Sequence, residues 1–271
     1  MKLRTFFLIY FIPFILISLI SYFTSYININ KDDTLSDSGP RSAAGKTISR
    51  KFVWDLRPDR TIITELELPL KEIKKEMKNF GINLKIKHPS YISKQGFFRT
   101  KEGLVLNYKS IFENSIPIFK KISPYITYSA GLNGGKDPIV CFLKFVQAIK
   151  YKIPPKFMNG KYIMEFLPPL NCLFLKYGDC DSKSVLLAEL LEGDSYKKEK
   201  MAIVILRGFG IFHAILAIER TPMPGMLSFY INREGPYIPI ETTDKGWMPG
   251  FSNKQVLLCL QNGKFRFVKL F

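Results

Sequence analysis

The chain has 271 residues, of which 46% are hydrophobic, so it is long enough for one domain with a substantial apolar core and a terminal segment. This composition excludes a chain that is disordered throughout. The formal net charge is +17, but the basic residues are spread along the chain without a nucleic-acid recognition motif, so we expect attraction to anionic surfaces and no nucleic-acid partner.

The N-terminus is predicted to be a membrane anchor. Residues 5–26 are uncharged and rich in Phe, Leu and Ile, and a spanning helix needs about 20 apolar residues. Lys2 and Arg4 favour a cytoplasmic N-terminus. We therefore expect residues 1–27 to form a signal anchor, with the rest of the chain in the periplasm or at the cell surface. The segment lacks an Ala-x-Ala cleavage pattern, which favours an uncleaved anchor over a signal peptide.

The segment after the anchor is polar, which predicts a flexible linker at 28–49 and a folded domain at 50–271. Two strand-like runs, 52–54 and 61–66, flank a turn at Arg57-Pro58-Asp59 and predict a hairpin. Helical spacing follows in three segments, at 70–80, 107–121 and 137–150.

The C-terminal half is predicted to form a sheet after a helix that begins at Cys180. Strand-like runs occur at 201–207, 211–219, 226–232 and 237–242, with a last pair at 255–260 and 264–270. Helices followed by an antiparallel sheet indicate an α+β fold, whose core we place at 137–245.

The most informative motif lies at the start of that helix. Residues 178–184 read Gly-Asp-Cys-Asp-Ser-Lys-Ser and run into an apolar helical face. Asp179 is a good N-cap, so Cys180 should lie in the first turn. The positive end of the helix dipole and free backbone N–H groups there favour the thiolate, which is the nucleophilic form of cysteine.

A base and an acid follow Cys180 along the chain. His213 lies in the apolar run 211–216, and Glu241 ends a later strand. Cysteine, histidine and a carboxylate are the parts of a catalytic triad. Taken alone, His213 is better explained as a core histidine, and it is the upstream cysteine motif that reverses this and favours the catalytic interpretation.

Together these segments resemble a known family. A helix ending at Phe145–Tyr151, the Gly-Asp-Cys-Asp-Ser-Lys-Ser motif, Phe212-His213-Ala214 and Ile240-Glu241-Thr242-Thr243 are similar, in order and separation, to the transglutaminase-like branch of the papain-type cysteine enzymes, and in particular to its bacterial members. The resemblance implies that fold, no cofactor and no metal, and a protein or peptide substrate, with the cell envelope as one source.

The resemblance also implies roles for individual residues. Cys180 would be the nucleophile and His213 the base. The family usually has an aspartate as the acid; Glu241 stands at that position here, and Asp244 is the alternative. An oxyanion hole would combine the backbone N–H of Cys180 with one side-chain donor, for which the candidates are Tyr177, Asn171 and Gln147.

Competing interpretations concern the cysteines and the activity. A buried structural thiol at Cys180 would require its two aspartate neighbours to be paired, and a zinc site with Cys172 and His213 lacks ligand spacing. Cys141, Cys172 and Cys259 allow at most one disulfide if Cys180 stays free, and we expect Cys141 and Cys259 to be core residues.

Hydrolysis of an amide bond is the favoured reaction. The alternatives are an amine-transferring, cross-linking acyltransferase and a catalytically weak or inactive scaffold module of the same fold.

Overall fold

The structure of the chain is a computed structural model that describes residues 46–82, 96–100, 103–132, 138–194 and 199–271. The predicted anchor at 1–27 and nearly all of the predicted linker at 28–49 lie outside these ranges. Within the ranges, no helix has both the length and the apolar character that crossing a membrane requires.

The described chain opens with the predicted hairpin. Strand β1 (Thr47–Arg57) pairs antiparallel with β2 (Arg60–Pro69), and it begins shortly before the predicted domain boundary at residue 50. Successive side chains of a strand point to opposite faces. Phe52 and Trp54 are accordingly buried on one face of the hairpin, while Val53 points outward.

Helices make up most of the middle of the chain. The described residues contain α1 (Leu70–Asn79), α2 (Tyr108–Ser129), α3 (Ile139–Ala148), α4 (Pro169–Leu175), α5 (Cys180–Gly193) and α6 (Lys254–Gln261). The three helices predicted before the cysteine motif are present, although α2 extends well past residue 121 and the predicted start at Asp137 lies outside the described residues. Helix α4 was not predicted. Its stretch is rich in Gly and Pro, but Pro169 occupies the first helical position, where its missing N–H costs nothing.

The main sheet consists of five antiparallel strands, β9 (Met201–Gly208), β10 (Ile211–Glu219), β11 (Phe229–Ile231), β12 (Glu234–Ile240) and β13 (Phe265–Lys269). Their order in the sheet is β11-β12-β10-β9-β13. Short pairs complete the strands: β3 (Phe97–Thr100) with β4 (Gly103–Leu106), β5 (Lys150–Tyr151) in parallel with β8 (Tyr177–Gly178), and β6 (Phe157–Met158) with β7 (Lys161–Tyr162). Helices and an antiparallel sheet are combined as the α+β prediction requires.

The sheet is covered on both faces. Leu216 and Ile240 belong to the large apolar core that also contains Val185 of α5. Ile215, the next residue of β10, belongs instead to a smaller cluster with Val256 of α6. Helix α5 therefore packs on one face of the sheet and α6 on the other, which brings the N-terminus of α5 close to the central strand β10.

One predicted strand is wrong. Residues 255–260, expected to pair with 264–270, lie in helix α6, and β13 pairs with β9 instead. Asn253 caps this helix by accepting a hydrogen bond from the backbone N–H of Val256. Val256, Cys259 and Leu260 are buried at helical spacing. A short apolar run fits a strand and a helix equally well, and here the cap and the burial pattern favour the helix.

Candidate active site at the start of helix α5

Cys180 occupies the first turn of helix α5, as the capping motif predicted. The Asp179 carboxylate accepts hydrogen bonds from the backbone N–H of Ser182 at 3.0 Å and from the Ser182 hydroxyl at 2.6 Å. The Ser182 hydroxyl oxygen in turn accepts the backbone N–H of Leu167 at 2.9 Å. These bonds fix the helix start to the preceding loop, and Cys180 is left partly buried beside strand β10.

His213 and Glu241 meet at the edge between β10 and the residues after β12. Antiparallel pairing ends at Leu216 opposite Ile240, so the beginning of β10 lies next to the chain that leaves β12. The His213 Nε2 atom is 2.8 Å from Oε2 of Glu241. The histidine side chain is 16% exposed and the glutamate side chain 1%. With Nε2 directed at the carboxylate, Nδ1 is the ring nitrogen left for another partner.

The second oxygen of Glu241 is held as well. Its Oε1 atom accepts the backbone N–H of Thr243 at 2.9 Å and the Thr243 hydroxyl at 2.7 Å. Both carboxylate oxygens therefore have strong partners, which fixes the acid and orients the imidazole. Asp244, the alternative acid, has an exposed side chain and acts on His213 only through the field of its charge.

The electrostatics of this pair are consistent with an ion pair. Burial alone lowers the pKa of His213, but the hydrogen bond to Glu241 and the charge of that carboxylate outweigh it, so the pKa is raised. Burial alone raises the pKa of Glu241, and the contacts with His213 and Thr243 overcome it, so this pKa is lowered. Each shift favours the charged form.

Cys180 lies beside the same strand. The backbone N–H of Ala214, the residue after His213, acts on the thiol and lowers its pKa, against the larger effect of burial. The Ala214 carbonyl accepts a hydrogen bond from the Ser184 hydroxyl, one turn further along α5, at 3.3 Å. The start of α5 and strand β10 are therefore in direct contact at the site.

The carboxylates beside Cys180 oppose its ionisation. Burial raises the pKa of the thiol, and the charges of Asp181 and Asp179 raise it further. The Cys180 sulfur lies 3.8 Å from Oδ1 of Asp181. The expectation that the helix N-terminus lowers the pKa of this thiol is therefore wrong for a site in which both aspartates are ionised. The sequence contained both acids, but not their burial.

Gln147 and Asn171 have no amide hydrogen left for an oxyanion. The two hydrogens of Gln147 Nε2 serve the backbone carbonyls of Glu241 at 2.9 Å and Trp247 at 3.0 Å. Those of Asn171 Nδ2 serve the Glu76 carboxylate at 2.7 Å and the Ile73 carbonyl at 3.3 Å. We therefore assign structural roles to both side chains. Gln147 supports the segment that carries the acid, and Asn171 belongs to a separate buried cluster around Glu76.

Two tyrosines, Tyr151 and Tyr108, lie near Cys180 although the sequence did not indicate them. Burial raises the pKa of Tyr151 to about 12, and the charge of Cys180 is the second cause. Tyr151 reaches the site because β5 pairs with β8 just before Asp179. Tyr108 of α2 is buried and hydrogen-bonded to Asp181. Tyr177, a predicted oxyanion donor, is partly buried with the Lys152 ammonium 4.8 Å from its ring centre. No spacing signal marks Tyr151 or Tyr108, because both contacts join distant segments.

The remaining cysteines are core residues. Cys141, Cys172 and Cys259 are buried and, like Cys180, carry a free thiol. In the described part of the chain, no three His, Cys, Asp or Glu side chains are grouped so that they would hold a metal ion. Cys180 is thus the most accessible thiol of the four.

Comparisons with known proteins add little to this geometry. No protein-family model and no curated protein matches the chain. Among solved structures, the chain is similar to calcium-bound LapG of Legionella pneumophila at 12% sequence identity and a TM-score of 0.29, over 65% of this chain and 76% of that one. A likeness this distant carries no argument, and the function of the site rests on its own geometry.

Proposed function

We propose that the chain is a transglutaminase-like cysteine enzyme that cleaves amide or peptide bonds through Cys180, His213 and Glu241. The observation that carries the proposal is the 2.8 Å contact between His213 Nε2 and the buried Glu241 carboxylate, on the strand whose Ala214 N–H acts on the Cys180 thiol. A buried, doubly anchored carboxylate beside a partly exposed histidine is the arrangement that orients a general base.

The reaction follows from these contacts. His213 takes the thiol proton at Nδ1 while Glu241 stabilises the imidazolium through Nε2. The Cys180 sulfur attacks the carbonyl carbon, and the imidazolium protonates the leaving amine nitrogen as the C–N bond breaks. The product is a thioester at Cys180. His213 then deprotonates a water molecule that attacks the thioester, and a carboxylic acid and the thiol are released.

Amine transfer differs only in the last step, because an amine would replace the water. We favour hydrolysis because water is abundant outside the cytoplasm, where the predicted anchor would hold the domain. For the same reason we propose a protein or peptide of the cell envelope as the substrate.

A second candidate is a scaffold module that keeps the fold without turnover. The observation that favours it is the raised pKa of Cys180, since a thiol opposed by Asp181 and Asp179 is a poor nucleophile. The His213–Glu241 pair argues against it, because a scaffold has no need of an oriented imidazole.

An activated ester tests the proposal without knowledge of the substrate. The full-length protein in detergent is mixed with p-nitrophenyl acetate in water enriched in oxygen-18, with and without a primary amine. The proposed enzyme releases p-nitrophenol over many turnovers and forms an acetyl group on Cys180. Labelled acetate indicates hydrolysis, and an acetylated amine indicates transfer.

The controls separate catalysis from chemical modification. Cys180→Ala and His213→Ala should each abolish turnover, whereas Cys259→Ala, which alters a buried thiol of α6 next to β9, should retain it. Turnover that survives in Cys180→Ala, or wild-type protein that reacts no faster than His213→Ala, would leave the scaffold as the better account.

A further inference from the structure

Asp181 is held in the site from two directions. Its Oδ1 atom lies 3.8 Å from the Cys180 sulfur, and the hydroxyl of Tyr108 donates a hydrogen bond to its carboxyl. Tyr108 is only 4% exposed and comes from a different helix, α2. The usual role of an aspartate in a first helical turn is to face solvent and complement the dipole. A carboxyl that is only partly exposed and has a buried tyrosine and a thiol as neighbours requires another explanation.

The titratable groups around Asp181 come from four elements. They are Asp179 and Cys180 at the start of α5, Tyr108 on α2, His213 on β10 and Tyr151 on β5. Burial raises the pKa of Asp181 to about 7, with Asp179 as the second cause, while the Tyr108 hydrogen bond and the His213 charge lower it. Asp181 therefore exchanges its proton near neutral pH.

We propose that Asp181 is a positioning residue whose carboxyl and the Cys180 thiol share one negative charge. This inference rests on the proposed function, because it concerns the proton that Cys180 must lose before it attacks. When Asp181 is protonated, its charge no longer opposes the thiolate, which pairs with the His213 imidazolium. When Asp181 is ionised, its charge at 3.8 Å favours the thiol. Only S–H, O–H and N–H bonds change, and the exchanged proton passes to or from solvent.

The shared charge sets the working range of the enzyme. Below about pH 7 the carboxyl is neutral and the thiolate–imidazolium pair forms. As the pH rises through this value, Asp181 ionises and the thiolate is suppressed, although hydroxide is more abundant. Cys180 of the wild type should therefore gain little reactivity between pH 7 and 9, whereas an ordinary thiol gains about tenfold per pH unit below its pKa of about 8.5.

Alkylation of Cys180 by iodoacetamide tests this, with the modified peptide quantified by mass spectrometry in the full-length protein from pH 5 to 10. Asp181→Asn keeps the shape of the side chain and cannot ionise. We expect the rate ratio of Asp181→Asn to wild type to be close to one at pH 5 and to reach about tenfold or more at pH 8, because a unit charge a few ångströms away shifts a pKa by at least about one unit.

Three variants distinguish proton sharing from simple damage to the helix start. Asp181→Glu should restore the wild-type profile in large part. Tyr108→Phe removes a bond that lowers the pKa of Asp181, so suppression should begin at a higher pH. Asp194→Asn, at the other end of the same helix, should leave the profile unchanged.

The inference is overturned if Asp181→Asn follows the wild-type profile, or if its rate differs by the same factor at every pH. In that case the proposed function still stands, provided that His213→Ala changes the wild-type profile. If His213→Ala also leaves the profile unchanged, the proposed function fails independently of Asp181.

Discussion

On the sheet side of the candidate site, a histidine and a carboxylate stabilise each other's charge, whereas on the helix side a thiol and a carboxylate oppose each other. His213 Nε2 and Glu241 Oε2 are 2.8 Å apart. The pKa of the histidine is raised and that of the glutamate is lowered, so both shifts favour the charged form. Cys180 and Asp181 are 3.8 Å apart, and burial with neighbouring acids raises both pKa values. Burial acts on both pairs, so the difference arises from the partner's charge, which is opposite in the His213–Glu241 pair and of the same sign in the Cys180–Asp181 pair.

This difference indicates which half is fixed and which half is adjustable. A buried ion pair with further hydrogen bonds resists protonation changes over a wide pH range. Two acids in contact exchange a proton with small changes in pH, because only one of them is easily ionised. The sheet half is therefore expected to supply a constant imidazolium, and the helix half to decide when the thiolate that pairs with it is available.

The largest effect should come from removing the acid of the sheet half. Glu241→Ala leaves His213 without the carboxylate that orients it, so acylation of Cys180 by p-nitrophenyl acetate should fall by about a hundredfold or more. Asp244→Ala removes the alternative acid and should stay within about twofold of wild type, since its side chain is exposed. If Asp244→Ala shows the larger loss, the assignment of the acid is wrong.

A smaller effect concerns the stability of the folded protein. A histidine with a raised pKa stabilises the protein below its unfolded value of 6.5 and loses this as the pH rises through the folded value. A glutamate with a lowered pKa stabilises it above 4.5 and loses this as the pH falls through the folded value. Both contributions are fully present between pH 4.5 and pH 6.5, the two unfolded values.

Glu241→Gln should therefore lower the free energy of unfolding by about 2 kcal/mol near pH 5.5 and by less at pH 9. Urea denaturation at the two pH values measures this, with Asp244→Asn as the matched control. An equal loss at both pH values would indicate that His213 and Glu241 do not form an ion pair in the folded protein.

Among the side chains that support the site, Gln147 should have only a small effect on the reaction. Gln147→Ala leaves two backbone carbonyls without their donor, so we expect a loss of about 2 kcal/mol in unfolding free energy and only a few-fold decrease in acylation rate. An oxyanion donor would instead cost about a hundredfold in rate. Gln255→Ala, on the exposed side of α6, serves as the control for both measurements.

The sequence was sufficient where the signal is local. The cap at Asp179, the helix from Cys180 and the hairpin at the start of the domain depend on neighbouring residues, and all three are present. The chain order of Cys180, His213 and Glu241 also suggested the contact between the last two. A local pattern misled at 255–260, where a short apolar run does not distinguish a strand from a helix.

The features of the site that the sequence did not predict depend on contacts between distant segments. Gln147 and Asn171 have the chemistry of oxyanion donors, but their partners are the Trp247 carbonyl and the Glu76 carboxylate, which no spacing in the sequence connects to them. Tyr108 reaches Asp181 only because α2 packs beside α5. The pKa of Cys180 depends on how deeply its acidic neighbours are buried, and burial is a property of the packed fold.

The most direct test of the account is the alkylation rate of Cys180 at pH 6 in the wild type and in His213→Ala. The central claim is that the two side chains exchange a proton, with the imidazolium stabilising the thiolate. Wild-type Cys180 should react at least about tenfold faster than Cys180 of His213→Ala at pH 6, where Asp181 is mostly protonated, because without His213 Cys180 should behave as an ordinary thiol. Equal rates in the two proteins would contradict it, because they would mean that His213 does not act on Cys180.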